Sequence, residues 1–219
     1  PTRYTFISGI GTACILFTVP LSYTFTNVSI PFIQLLMRGD ILIIAPLVDF
    51  IYGRRVRWWS WTALVLVAIS LLLVIQQRGG LRLPPLAIAA VVLYTVGYFT
   101  RLWVMTRVSK DGNPDTVKRY FVEEKVIALP MSIAILALLS VSGLGTQSGE
   151  LEFGFLKVWT DPVMWPLIGM AVTLTIVSVF AAMILLDARE NTYCVPLERS
   201  SSLLAGLFAA YILHWTMGL

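Results

Sequence analysis

Residues 28–53 read VSIPFIQLLMRGDILIIAPLVDFIYG, and residues 193–218 read YCVPLERSSSLLAGLFAAYILHWTMG. The two stretches lie over each other without a gap. Pro31 falls on Pro196, Leu42 on Leu207, Ala45 on Ala210 and Gly53 on Gly218. Each copy opens near a proline and closes on a glycine. Each is long enough to cross a bilayer, which takes about 20 apolar residues in a helix. They are the second and seventh of seven such runs, so an odd number of crossings separates them and they point in opposite directions. Inverted repeats of this kind are a signature of secondary transporters.

The other runs extend the same reading. Residues 6–25, 31–52, 59–76, 85–106, 123–144, 163–186 and 196–217 are each expected to be a transmembrane helix. The chain is 58% hydrophobic and 13% charged, against roughly 25% charged for soluble domains. This excludes a water-soluble globular protein. The expected fold is all-α, a polytopic membrane protein forming a single transmembrane domain. Two connections are long. Residues 107–122 carry the turn signal Gly112-Asn113-Pro114, and residues 145–162 are expected to hold a short amphipathic segment around 151–159.

Charge assigns the sides. Arg3, Arg54, Arg55, Arg57, Arg107, Lys110, Lys118, Arg119 and Arg189 fall on one side of the expected membrane. Arg78, Arg82 and Lys157 fall on the other, among Glu150, Glu152 and Asp161. The side richer in cations is cytoplasmic, which places Arg3 inside. The net charge of +4 comes from helix ends and implies no nucleic-acid partner. The expected surroundings are a lipid bilayer, a bacterial inner (plasma) membrane. The opening Pro-Thr-Arg, in place of Met, suggests a start further upstream.

Charges within the runs carry the functional reading. Arg38 and Asp40 lie near the middle of the second run, and a charge there costs at least ~2.5–3.5 kcal/mol on insertion scales. Being two residues apart, they point about 200° away from each other on a helix. Each needs a partner on another helix or a wet cavity. Gln34 shares a face with Arg38. Tyr94, Tyr98 and Arg101 form one polar stripe on the fourth run. This stripe reads either as a cavity wall for an anionic or planar ligand or as an interfacial anchor with a snorkelling arginine. Glu198 and Arg199 stand just after Pro196, which suits a first helical turn. Asp49 reads as structural, within reach of Arg54 or Arg55. Glu123 and Glu124 read as carboxylates favoured by a helix N-terminus. His214 reads as interfacial.

No catalytic constellation is present, and an enzyme is not expected. Cys14 and Cys194 give neither a disulfide framework nor metal spacing. One histidine excludes most zinc sites. No metal and no cofactor is expected.

The residues from Val19 to Ile75 carry a resemblance to a family. They read as the end of a helix (VPLSYTF), a short turn (TNVSI), the proline-led helix, a basic turn (RRVRWW) and an apolar closing helix (SWTALVLVAISLLLVI). MILLDARENTYCVPLERSSSLLAGLFAAYILHWTMG repeats the start of that unit. This pattern resembles the drug/metabolite transporter superfamily, whose members have ten helices in two inverted halves of five. The resemblance implies that the chain holds helices three to nine. Residues 1–80 would end the first half, and 81–219 would form the second without its last helix. It further implies a carrier working by alternating access on a small solute, with the coupling ion left open and a proton as one candidate. Gln34, Arg38 and Asp40 would face Tyr94, Tyr98, Arg101, Glu198 and Arg199 across the site. Arg38 or Arg101 would hold an anionic group, and Asp40 or Glu198 would carry a proton or bind an amine. Family members often have a glutamate after the glycine that ends the proline-led helix, where this chain has Arg54. The alternative is therefore a non-transporting membrane scaffold inside a larger complex, with membrane protein partners.

Overall fold

A computed structural model describes residues 2–25, 30–77, 83–108, 113–143 and 145–217. Its elements are helical throughout, with no strand among the described residues. In order they are α1 (Arg3–Tyr23), α2 (Ile30–Gly39), α3 (Ile41–Ile51), α4 (Trp58–Gln77), α5 (Pro85–Val108), α6 (Pro114–Val141), α7 (Gly145–Glu152), α8 (Met164–Leu185) and α9 (Asn191–Met217). A wide helical turn (Phe153–Lys157) and a tight one (Val158–Thr160) join α7 to α8. Among the described residues, α1, α5, α6 and α8 are each long and apolar enough to cross a membrane. A chain with four such helices is built for a bilayer, because a helix satisfies its own backbone hydrogen bonds in lipid.

Three expectations about element limits change. The second run is not one helix, because it turns at Asp40 between α2 and α3. Gly39 is a weak helix former, and Pro46, six residues past Asp40 inside α3, removes a backbone donor. The fifth run starts nine residues earlier than its apolar stretch, at Pro114, with Asn113 Oδ1 capping Asp115 N at 3.0 Å. The last helix starts at Asn191, so Pro196 lies inside it and is not at its first turn. In the last two cases the backbone continues the helix through polar residues at the end of the apolar stretch, where water can solvate the charges. The expected segment around 151–159 is helical, and it is preceded by α7.

α1 packs mainly on α5 and α6, while α3 meets α9 and α5. The α1–α5 crossing is as close as backbones allow. A Cβ added to Gly97 would lie 2.6 Å from the Gly11 carbonyl oxygen, and one added to Gly11 would lie 2.7 Å from that of Gly97. Small residues permit this approach between apolar helices. The buried core joins Ile44, Ala45 and Val48 of α3 to Tyr94, Tyr98, Leu102 and Met105 of α5 and Val195 of α9. In α8, by contrast, residues 165–180 are all exposed.

The chain reverses after α3 through Gly53, whose φ of +61° lies in the left-handed region. Gly53 N donates to Phe50 O at 3.0 Å and Arg54 N to Asp49 O at 2.9 Å, the paired bonds that end a helix on glycine. A Cβ here meets no atom within 4 Å, so conformation alone sets its cost. Gly53→Ala is expected to destabilise by about 1 kcal/mol, a fall of roughly 2–4 °C in the melting temperature of a chain this size. Thermal unfolding in detergent measures it.

Candidate functional site

Three buried polar groups sit between the helices. The first contains four of the residues expected to bind a solute. Tyr94 and Tyr98 on α5 stack with ring centroids 6.1 Å apart. Arg199 of α9 donates from Nη2 to the Tyr94 hydroxyl at 3.2 Å, and its guanidinium carbon lies 5.4 Å from the Tyr98 ring centroid. Its Nε is 3.1 Å from Glu198 Oε2. Both tyrosines are at least 96% shielded from solvent, at 4% and 3% exposure. The four-residue spacing on α5 puts both rings on one face, and one charged side chain from α9 closes over them. Asp40 stands at the turn between α2 and α3, both of which pack on α5. Arg38 and Asp40 are half-buried and make further contacts. Gln34 stands on α2, but its side chain lies outside the described ones.

Arg101 departs from its stripe. Its guanidinium turns to Glu124 on α6, with Nε 2.9 Å from Oε1 and Nη2 3.5 Å from Oε2. Glu124 Oε1 also accepts from Thr12 Oγ1 at 2.7 Å, Ser8 Oγ at 3.0 Å and Tyr120 OH at 3.1 Å. Neither reading of the sequence holds for this pair. Arg101 does not snorkel, and Glu124 is not at a helix start but in the third turn of α6, fully buried. A signal for it was present, since Ser8 and Thr12 are four apart on one face of an apolar helix. The apolar stretch from residue 123 places Glu124 at a helix start, whereas the helix itself begins at Pro114. Beside it, Glu123 accepts from Thr5 Oγ1 at 2.8 Å and pairs with Arg119 at 2.8 Å.

The third group surrounds Asp49, whose side chain is fully buried. Oδ1 accepts from Asn191 N at 3.1 Å and Asn191 Nδ2 at 2.8 Å. Oδ2 accepts from Thr192 N at 2.7 Å and Thr192 Oγ1 at 2.6 Å. Asn191 and Thr192 open α9, so a carboxylate from α3 caps a helix distant in sequence and meets the positive end of its dipole. Asn191 Nδ2 also donates to Thr106 Oγ1 on α5 at 2.8 Å. The structural reading of Asp49 with Arg54 holds only in part. Arg54 Nε is 3.9 Å away, and Arg54 Nη2 donates to the Ala188 carbonyl. Nearby, the Asp187 carboxylate raises the Arg189 guanidinium above its ordinary value. Asn-Thr ahead of an apolar run is a readable cap signal, but the identity of its distant partner is not in the local sequence.

These contacts gather the cations at one end. Arg54 reaches the α8–α9 connection, and Arg107 lies over the ring of Tyr4 at 4.6 Å. His214 is exposed on α9. Among the described residues, no group of three or more His, Cys, Asp or Glu could hold a metal ion. No family model, no curated protein and no solved structure matches this chain.

Proposed function

We propose that this chain is the seven-helix part of a drug/metabolite-type carrier, moving a small anionic or zwitterionic solute by alternating access. The spans would be α1, the pair α2–α3, α4, α5, α6, α8 and α9, with the basic end in the cytoplasm of a bacterial cell. The observation that carries this reading is the Arg199–Tyr94–Tyr98–Glu198 group beside the turn at Asp40. A buried arginine costs too much in lipid to be kept without a use, and turned or broken helices near the bilayer middle are where carriers bind their solutes. Arg199 would hold the anionic group and the stacked tyrosines would flank it. Asp40 or Glu198 would carry the coupling proton. Arg101 leaves the expected solute contacts, because its guanidinium is committed to Glu124.

The test is purified protein in liposomes, with currents recorded on a panel of carboxylates, phosphate esters and amino acids under a pH gradient. At least one solute should give a current, and Arg199→Gln should reduce it about tenfold or more, the loss expected for a charge-assisted contact. No current across the panel, or one that survives Arg199→Gln, would sink the reading.

The exposure of residues 165–180 of α8 on every side favours a second reading, a scaffold subunit whose flank meets another membrane protein. A photo-crosslinker at Ile176 in native membranes separates the two. Lipid adducts alone fit the carrier, and a single defined protein adduct fits the scaffold.

A further inference from the structure

We infer that the Asp49 carboxylate and the first turn of α9 form the inner gate of the Arg199 site. This rests on the carrier reading above and adds how its site is closed.

Position argues first. Asn191 and Thr192 precede Arg199 by about two helical turns, roughly 10 Å along α9. The Asp49 contacts therefore lie between the Arg199 group and the basic end of the molecule. Val195, fully buried, sits between them on the same helix and packs in one core with Ile44, Ala45 and Val48 of α3. Anything passing from the basic end to Arg199 along α3 and α9 must part Asp49 from α9.

The partners argue second. Asp49, Arg54 and Ser60 lie before residue 80, in the first half of the proposed repeat. Their partners Asn191, Thr192, Ala188 and Glu190 lie in the second. Ser60 Oγ is 3.4 Å from Glu190 Oε1, which brings α4 into the same junction. The closure thus joins α3 and α4 of one half to the start of α9 of the other, the elements that opening toward the basic end must part.

Energetics argue third, by contrast with the Arg101–Glu124 group. Both oxygens of Glu124 are engaged, its partner arginine is beside it, and α1 is wedged against α5 by paired glycines. That junction is built to stay shut. The Asp49 junction is less complete, because Asn191 Oδ1 is buried with no hydrogen-bond partner. An unsatisfied buried acceptor penalises the closed form and is relieved when water enters. Opening also frees two backbone donors and a carboxylate that water solvates well. A contact of strong bonds carrying one built-in penalty suits a gate that must both hold and release.

The test reads access and not transport. In a Cys14→Ser/Cys194→Ser background, Val195→Cys provides a single thiol behind the closure. Inside-out vesicles expose the basic end to a membrane-impermeant thiosulfonate, and the modification rate is measured. Asp49→Asn should raise the rate about tenfold, and the milder Thr192→Val, which removes one donor of near-equal shape, about threefold, in proportion to the hydrogen bonds lost. A parallel protein keeping only Cys14, on α1, reports general loosening. Unchanged rates at Val195→Cys in both variants would overturn the gate. So would an equal rise at Cys14, which would make Asp49 a purely structural cap. Because no solute is involved, a failed current assay with gated access would discard the carrier reading and leave the closure standing.

Discussion

Gly97→Ala is expected to unfold this protein at a markedly lower temperature, although alanine is the better helix former. In an exposed helix interior the change from glycine gains about 0.5–1 kcal/mol. At Gly97 the new Cβ would stand 2.6 Å from the Gly11 carbonyl oxygen and 3.1 Å from Cys14 Cβ. The first is backbone and cannot swing aside, so α1 and α5 must separate along their length. Overpacking costs typically about 1–3 kcal/mol, and here the separation also pulls Ser8 and Thr12 away from Glu124, one turn from the contact. The clash wins, with a net loss of about 2–3 kcal/mol and a fall of roughly 4–12 °C in melting temperature. Gly97→Leu should leave no folded peak on size exclusion. Gly149→Ala is the control, because a Cβ there meets nothing within 4 Å and the residue is exposed on α7. It should be neutral or slightly stabilising. Equal melting temperatures for Gly97→Ala and the parent protein would mean that the α1–α5 crossing is not the tight contact described.

The helices were legible because a bilayer demands long apolar runs, and among the described residues each expected run is mostly helical. What the runs could not give is where helices continue beyond the apolar stretch. Asp115, Lys118 and Arg119 look like loop residues, yet they form the first turns of α6. Hydropathy marks the lipid boundary and backbone hydrogen bonding marks the helix boundary, and the two differ by nine residues here. The same offset at α9 hid the Asp49 cap, because Asn191 and Thr192 were read as a connection. At the candidate site, the four-residue step from Tyr94 to Tyr98 predicted a shared face, and the rings do stack. The next step failed for a physical reason. Spacing fixes where Arg101 leaves the helix, but an arginine is long, and its guanidinium goes to whichever carboxylate lies within reach. That carboxylate is on α6, in a register the sequence did not reveal. Asp40 stands out in the sequence as a costly charge but not as a turn between two helices, since Gly39 and a proline six residues past Asp40 do not specify a break.

Removing Glu124 alone should be among the most damaging single changes in the molecule, and removing its partner as well should undo much of the harm. Glu124→Gln keeps the shape but leaves the Arg101 guanidinium, 14% exposed at its side chain, without its counter-charge. Breaking a buried pair from one side costs about 3–5 kcal/mol. Arg101→Met is the mirror case, stranding a carboxylate that then relies on Thr12, Ser8 and Tyr120 alone. It should cost less than Glu124→Gln, because three hydroxyls still solvate the carboxylate, while among the described residues Arg101 donates hydrogen bonds to Glu124 alone. In the double variant no unpaired charge remains, and replacing a buried ion pair with neutral groups of similar volume is often close to neutral. The double should therefore cost at least about 2 kcal/mol less than the sum of the singles, the size of coupling expected for residues in one network. Thermal or denaturant unfolding in detergent gives the cycle. The same double variant separates structure from transport. If Arg101 serves only to hold α1, α5 and α6 together, a folded double variant keeps its solute current while Arg199→Gln loses it. A folded double variant with no current would return Arg101 to the solute site. Strict additivity would mean that the two charges do not interact, and the fixed α1–α5–α6 body beside which α3 and α9 part would lose its main support.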